Sequence, residues 1–223
     1  MVLPLTFRPE AMFRIRPVTR ASSTLQGHTE AVLNTAFSPD GTKLASASGD
    51  RTVRLWDLHT ETPEFTMEGH KGWVMYVAFS PDGTILASAG ADHNVFLWNP
   101  ETGEKLGPML KGHKKHVTSI AWEPLVKANK HKRFATSSKD FTIRVWSAAD
   151  FTCHRTLGSH TSSVAKVIWG GEDLMYSASQ DRTIKVWNPD TGALVADLKG
   201  HAHWVNTLAL STEYVLRTGC YDH

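Results

Sequence analysis

The sequence predicts an all-β protein built from one repeated four-stranded unit, and three observations carry that expectation. Five Gly-His or Ser-His pairs, ending in His28, His70, His113, His160 and His201, recur at steps of 42, 43, 47 and 41 residues. Behind the first four stands a Trp at 56, 98, 146 and 187, preceded six residues earlier by Asp50, Asp92, Asp140 and Asp181. The segments TVRLW (52–56), NVFLW (94–98), TIRVW (142–146) and TIKVW (183–187) are short, rich in β-branched residues and alternate with period two, the mark of a half-buried strand.

Each element of the unit follows in chain order. SSTLQ, just before His28, aligns with EFTME, GPMLK, CHRTL and VADLK before the later repeat histidines, so it reads as a fourth strand with no unit in front of it. The first strand of each unit ends in an aromatic residue: Phe37, Phe79, Trp122 and Trp169. SPDGT at 38–42 and 80–84 supplies Pro, with its preset φ, and Asp-Gly, which tolerates positive φ, for a tight turn into the second strand. The TVRLW-type segments are third strands. After His201, Thr218 and Asp222 fall in register but no Trp follows, so four complete units and part of a fifth are expected, as a portion of a longer protein.

A repeat of roughly 40–45 residues with Gly-His near its start and Trp-Asp near its end resembles the WD-repeat family, in which each unit is one blade of a β-propeller. Here the closing pairs read Trp56-Asp57, Trp98-Asn99, Trp146-Ser147 and Trp187-Asn188, and only the first matches strictly. The resemblance implies a WD-repeat β-propeller of about four complete blades plus part of a fifth. A basic lead-in at 1–22 precedes a partial propeller at 23–223, with repeats starting near 27, 69, 112, 159 and 200.

Four residues before each Asp stands a hydroxyl residue, Ser46, Ser88, Thr136 or Ser177, which completes a His, Ser/Thr, Asp and Trp tetrad per unit. His, Ser and Asp are also the parts of a nucleophilic triad. An enzyme needs one exposed nucleophile beside an oxyanion site, whereas four copies in one register describe a part that every blade requires. In the family these groups hydrogen-bond from loop to strand to Trp, so the tetrads are expected to be structural and the protein not to be an enzyme.

Composition agrees with a globular domain. The chain has 223 residues, 41% hydrophobic and 21% charged. Its apolar runs are far shorter than the roughly 20 residues of a membrane span, and its first residues lack the apolar core of a signal peptide, so an intracellular protein is expected. Cys153 and Cys220 have no Cys-x-x-Cys spacing and read as reduced thiols. Of twelve histidines five are the repeat histidines and the rest are scattered, so neither a metal nor another cofactor is expected.

Strand direction alternates within a blade, which puts the turns carrying His and Asp on one face and the remaining turns on the other. Trp73 and Trp204 each sit three residues after a repeat His, where the other units have Ala31, His116 and Ser163. They are either partner anchors or rings packed on neighbouring blades. Met75, Lys139, Gln180, Asn206 and Tyr221 share that face. The net charge of +2 hides two basic segments. One holds Arg14, Arg16 and Arg20; the other is an insert in the third unit, LVKANKHKR (125–133), with Lys127, Lys130, Lys132 and Arg133 on the opposite face. Both are either solvated or in contact with phosphates.

Five stretches carry a closer resemblance: FRPEAMFRIRPVTR (7–20), WVMYVAFSPDG (73–83), HVTSIAWEPL (116–125), WGGEDLMYSASQDRTIKVW (169–187) and GHAHWVNTLALSTEYVLRTG (200–219). They are similar to the Notchless family of ribosome-assembly factors. That resemblance implies an eight-bladed propeller in the nucleus and nucleolus, bound to the pre-60S particle through rRNA and ribosomal or assembly proteins. It also implies a midasin-type AAA ATPase as partner, engaged through a ubiquitin-like domain that this sequence does not contain. Neither a membrane nor a small-molecule substrate is implied. The alternative is an adaptor in signalling or ubiquitin-ligase substrate recognition.

Overall fold

The computed structural model describes residues 24–124, 132–170 and 174–210. Three antiparallel sheets of four strands and one of three follow one another along the chain. The first blade runs β1 (Val32–Phe37), β2 (Lys43–Ser48), β3 (Thr52–Asp57) and β4 (Thr62–Glu68), and the second β5 (Val74–Phe79), β6 (Leu86–Gly90) and β7 (Val95–Trp98). The third comprises β8 (Val117–Trp122), β9 (Arg133–Ser138), β10 (Ile143–Ser147) and β11 (Thr152–Leu157). The fourth comprises β12 (Val164–Trp169), β13 (Met175–Ser179), β14 (Thr183–Trp187) and β15 (Leu194–Lys199). This is the all-β arrangement of a WD-repeat propeller, with its strands in the expected order.

Two expected fourth strands are not strands. Residues 24–28 form no ladder, because among the described residues no third strand lies beside them to accept their hydrogen bonds. In the second blade GPMLK (107–111) makes one isolated bridge, Val95 to Leu110, and Lys105 just before it another, to Trp98. Pro108 has no N–H to give, and Gly107 sits at φ +115°. Residues 204–210, at the start of the fifth unit, also lack a ladder, although the Val205 N–H donates to the Ser179 carbonyl at 3.1 Å.

Each pair of consecutive blades shares one apolar layer. Ala45, Val53, Leu55 and Met67 of the first meet Val74, Val77, Phe79 and Trp98 of the second, and equivalent residues repeat the contact twice more. Side chains also bond across the blades: Asn34 Oδ1 accepts from the Val77 N–H at 3.1 Å, and Ser119 Oγ from the Val167 N–H at 2.9 Å. The two outermost faces have no blade against them among the described residues. Phe37 is 65% exposed, where its counterparts Phe79, Trp122 and Trp169 are buried. Leu198 is 49% exposed, where Met67, Leu110 and Leu157 are buried. The first strands surround an open central cavity of about 440 Å³, which Lys166 of β12 crosses to hydrogen-bond the Tyr76 hydroxyl.

Candidate functional site

Each described tetrad is a directed hydrogen-bond chain. His113 Nδ1 lies 2.9 Å from Asp140 Oδ2, His113 Nε2 lies 2.8 Å from Thr136 Oγ1, and Trp146 Nε1 donates to that same oxygen at 2.8 Å. A carboxylate only accepts, so Nδ1 carries the proton, Nε2 is the acceptor, and the Thr136 hydroxyl donates to it. The other blades repeat this. His28 reaches Asp50 and Ser46 at 2.7 Å each; His70 reaches Asp92 at 3.0 Å and Ser88 at 2.8 Å; His160 reaches Asp181 and Ser177 at 2.7 Å each. Trp56, Trp98 and Trp187 each donate to the hydroxyl at 2.8 Å.

The order of bonds is that of a nucleophilic triad, but the hydroxyls are buried and each already accepts from an indole. No substrate atom can approach such an oxygen.

Burial, which raises a carboxyl pKa, is outweighed at Asp181 by hydrogen bonds from Thr183, His160 and the Thr161 backbone, which hold it at about 2. Asp50, Asp92 and Asp140 are likewise held below the usual carboxylate range against their burial. At His113 and His160 burial dominates and pushes the imidazole pKa down, against the pull of the paired Asp. Neutral histidine and ionised aspartate are therefore the resting states of both tetrads.

Two further groups belong to this frame and follow sequence signals of their own. A Thr two residues after the Asp donates to it in three blades, at 2.7 Å from Thr52 and 2.6 Å from Thr142 and Thr183. Two residues before the Trp stand Arg54, Arg144 and Lys185, with Phe96 in the second blade. Arg144 lies over Trp146 at 6.0 Å, and a Cβ at Gly112 would be 2.5 Å from its guanidinium nitrogen, which accounts for the Gly of the Gly-His pair. In the second blade Lys105 takes this place, 5.5 Å over Trp98.

On the face carrying the His and Asp turns, Trp73 is 56% and Trp204 55% exposed, so both indoles stand in solvent rather than against a neighbouring blade. Lys139 and Asn206 are exposed there, and Met75 and Gln180 partly so. Tyr221 lies outside the described residues, as do Arg14, Arg16, Arg20, Lys127 and Lys130.

The opposite face departs from the expectation of a basic loop free to meet phosphate. Lys132 Nζ pairs with Asp82 Oδ2 at 2.5 Å and bonds Thr84. Arg133 pairs with Glu123 and with Asp190, the latter at 2.5 Å, and lies 5.5 Å over the Trp169 ring. These two cations link the second, third and fourth blades. Hydrogen bonding to Glu123 raises the Arg133 pKa further. The turns of this face also carry Asp40, Asp57, Glu61, Glu101 and Asp150, which make it predominantly acidic among the described residues. Those residues also contain no group of three potential metal ligands.

Comparison with known proteins agrees with this geometry. The WD domain, G-beta repeat family matches residues 20–57, 61–99, 104–147 and 151–188. The chain is 57% identical over 98% of its length to Protein Notchless from Drosophila melanogaster, covering 45% of that protein. It is 54% identical over 79% of its length to a Notchless protein homolog from Arabidopsis thaliana, covering 37%. It is 45% identical over 99% of its length to Ribosome assembly protein 4 from Saccharomyces cerevisiae, covering 44%. The chain thus spans less than half the length of each of these relatives. It belongs to the WD-repeat family of β-propellers, and within that family it is a homologue of the Notchless proteins.

Proposed function

We propose that this chain is part of a non-enzymatic propeller scaffold that binds pre-60S particles during assembly of the large ribosomal subunit. The observation that carries this reading is kinship over 99% of this chain with a yeast protein named for ribosome assembly, at 45% identity, alongside 57% identity to Notchless. Tetrad hydroxyls that are all engaged in the frame support a positional role over a catalytic one. On this reading the partners are rRNA and ribosomal or assembly proteins in the nucleus and nucleolus. The midasin-type AAA ATPase would act through the ubiquitin-like domain of longer family members. Arg14, Arg16, Arg20, Lys127 and Lys130 remain candidates for rRNA phosphate contact, whereas Lys132 and Arg133 are committed to carboxylates.

The test is sucrose-gradient sedimentation of the tagged full-length gene product from nuclear extract, with and without RNase. Co-migration with large-subunit precursors that collapses on digestion is expected. Migration as a small, RNase-indifferent complex would overturn the reading in favour of the adaptor role, which the two exposed indoles of Trp73 and Trp204 also suit.

A further inference from the structure

The turn between the second and third strands of every blade puts one non-glycine residue in the left-handed region, directly after the tetrad Asp. These are Arg51, His93, Phe141 and Arg182, at φ of 69°, 69°, 74° and 70°. Left-handed backbone is unfavourable for such a residue, and here the Asp side chain holds the turn by accepting the next backbone N–H.

In the second blade this device presents His93 to the third blade, with its ring centroid 5.7 Å from that of His116. The Lys139 N–H donates to the His116 carbonyl at 2.9 Å, which seats Lys139 beside the pair. On the other side the Ala91 N–H donates to the Trp73 carbonyl at 2.7 Å, which brings the exposed indole next to the His93 turn. Trp73, His93, His116 and Lys139 therefore lie on adjoining turns of one face, a strip that crosses two blades.

The strip has an unbalanced charge. His93, His116 and Lys139 form no ion pair among the described residues, and the carboxylates beside them in sequence, Asp92 and Asp140, are turned inward to His70 and His113. Burial, then Lys139 and His93, hold the His116 pKa down, as a site crowded by like charge should. Lys115, 5.1 Å over Phe141, and Lys114 extend the strip at the surface. The opposite face differs, with Lys43, Lys132 and Arg133 each paired to a carboxylate.

We infer that the strip formed by Trp73, His93, His116 and Lys139 binds single-stranded RNA. Lys139 and the imidazole N–H groups hold phosphates, and Trp73 stacks a base. Cations beside a free aromatic platform are what sequence-tolerant RNA binding requires, the cations holding the backbone while the ring stacks a base. This deepens the proposed scaffold role and rests on it.

The probe is a fluorescein-labelled oligoadenylate about 15 nucleotides long, read by anisotropy against the purified chain over a salt series. Trp73→Ala and Lys139→Glu should each weaken binding about tenfold, and Lys139→Glu should flatten the slope of log K against log salt by about 0.7. His93→Gln with His116→Gln should weaken it without changing the melting temperature, and Lys132→Glu, on the acidic face, should leave it unchanged. Absence of RNA binding by the parent chain overturns the inference. So does loss in Lys132→Glu without loss in the strip variants, or capture of an oligoglutamate peptide in place of RNA. If the full-length parent co-migrates with large-subunit precursors while the parent chain binds no oligoadenylate, the strip falls and the scaffold role stands. RNA binding at the strip without co-migration overturns the scaffold role and leaves the strip standing.

Discussion

Thr136→Val tests the tetrad at the level of single hydrogen bonds. Valine has nearly the volume of threonine but no hydroxyl, so the apolar layer is kept while His113 Nε2 and Trp146 Nε1 each lose a partner at 2.8 Å. Thr136 is fully buried, and so no water can substitute. Two orphaned groups at about 1–3 kcal/mol each give roughly 2–6 kcal/mol, and about 3 is expected, because some relaxation is available. Thr136→Ser is the control. It keeps the hydroxyl and loses one buried methyl, at about 1 kcal/mol. In a chain of this size that difference corresponds to a melting temperature roughly 4–8 °C lower for Val than for Ser. Urea and thermal melts followed by tryptophan fluorescence would read it. If Val and Ser fall within about 0.5 kcal/mol of each other, the hydrogen-bond chain does not contribute the stability attributed to it.

Acidification gives a second prediction. His113 and His160 have depressed pKa values in the fold, so below the ordinary imidazole value of 6.5 the unfolded chain takes up protons first. Stability should fall from about pH 6.5 downward, by as much as about 1.4 kcal/mol per pH unit for each histidine, until the folded imidazoles protonate. A second loss should follow between about pH 4 and pH 2, as the unfolded chain and then Asp40, Asp82 and Asp181, all near 2 in the fold, protonate. A stability flat from pH 7 to pH 5 would contradict the neutral-histidine assignment. The third prediction compares equivalent positions. Phe79→Ala should cost about 3–5 kcal/mol and Phe37→Ala within about 0.5, by denaturant titration, because one ring is buried between blades and the other is 65% exposed. Equal costs would mean that the outer face of the first blade is covered in solution.

Much of this was legible in the chain. The spacing of Ser46, Asp50 and Trp56, repeated three more times behind a His, depends on strand lengths and turn types, which are local properties, and the hydrogen bonds follow from that register. The local pattern misled where pairing partners decide. SSTLQ and GPMLK look like their aligned fourth strands, yet a strand exists only when a neighbour accepts its hydrogen bonds and its own N–H groups stand at the bonding positions.

By itself, then, the sequence determined the repeated blade, its strand order and the tetrad that ties loop to strand, because their periods of two and of about 42 residues are written along the chain. Tertiary structure alone decided which charges and rings are free. Lys132 and Arg133 are neutralised by Asp82, Glu123 and Asp190, the first and last about 50 residues away in sequence, while His93 and His116 meet only because blades pack side by side. Coulomb attraction and stacking act through space, so a basic run in the sequence can be satisfied in the fold and a scattered set can form a cationic strip.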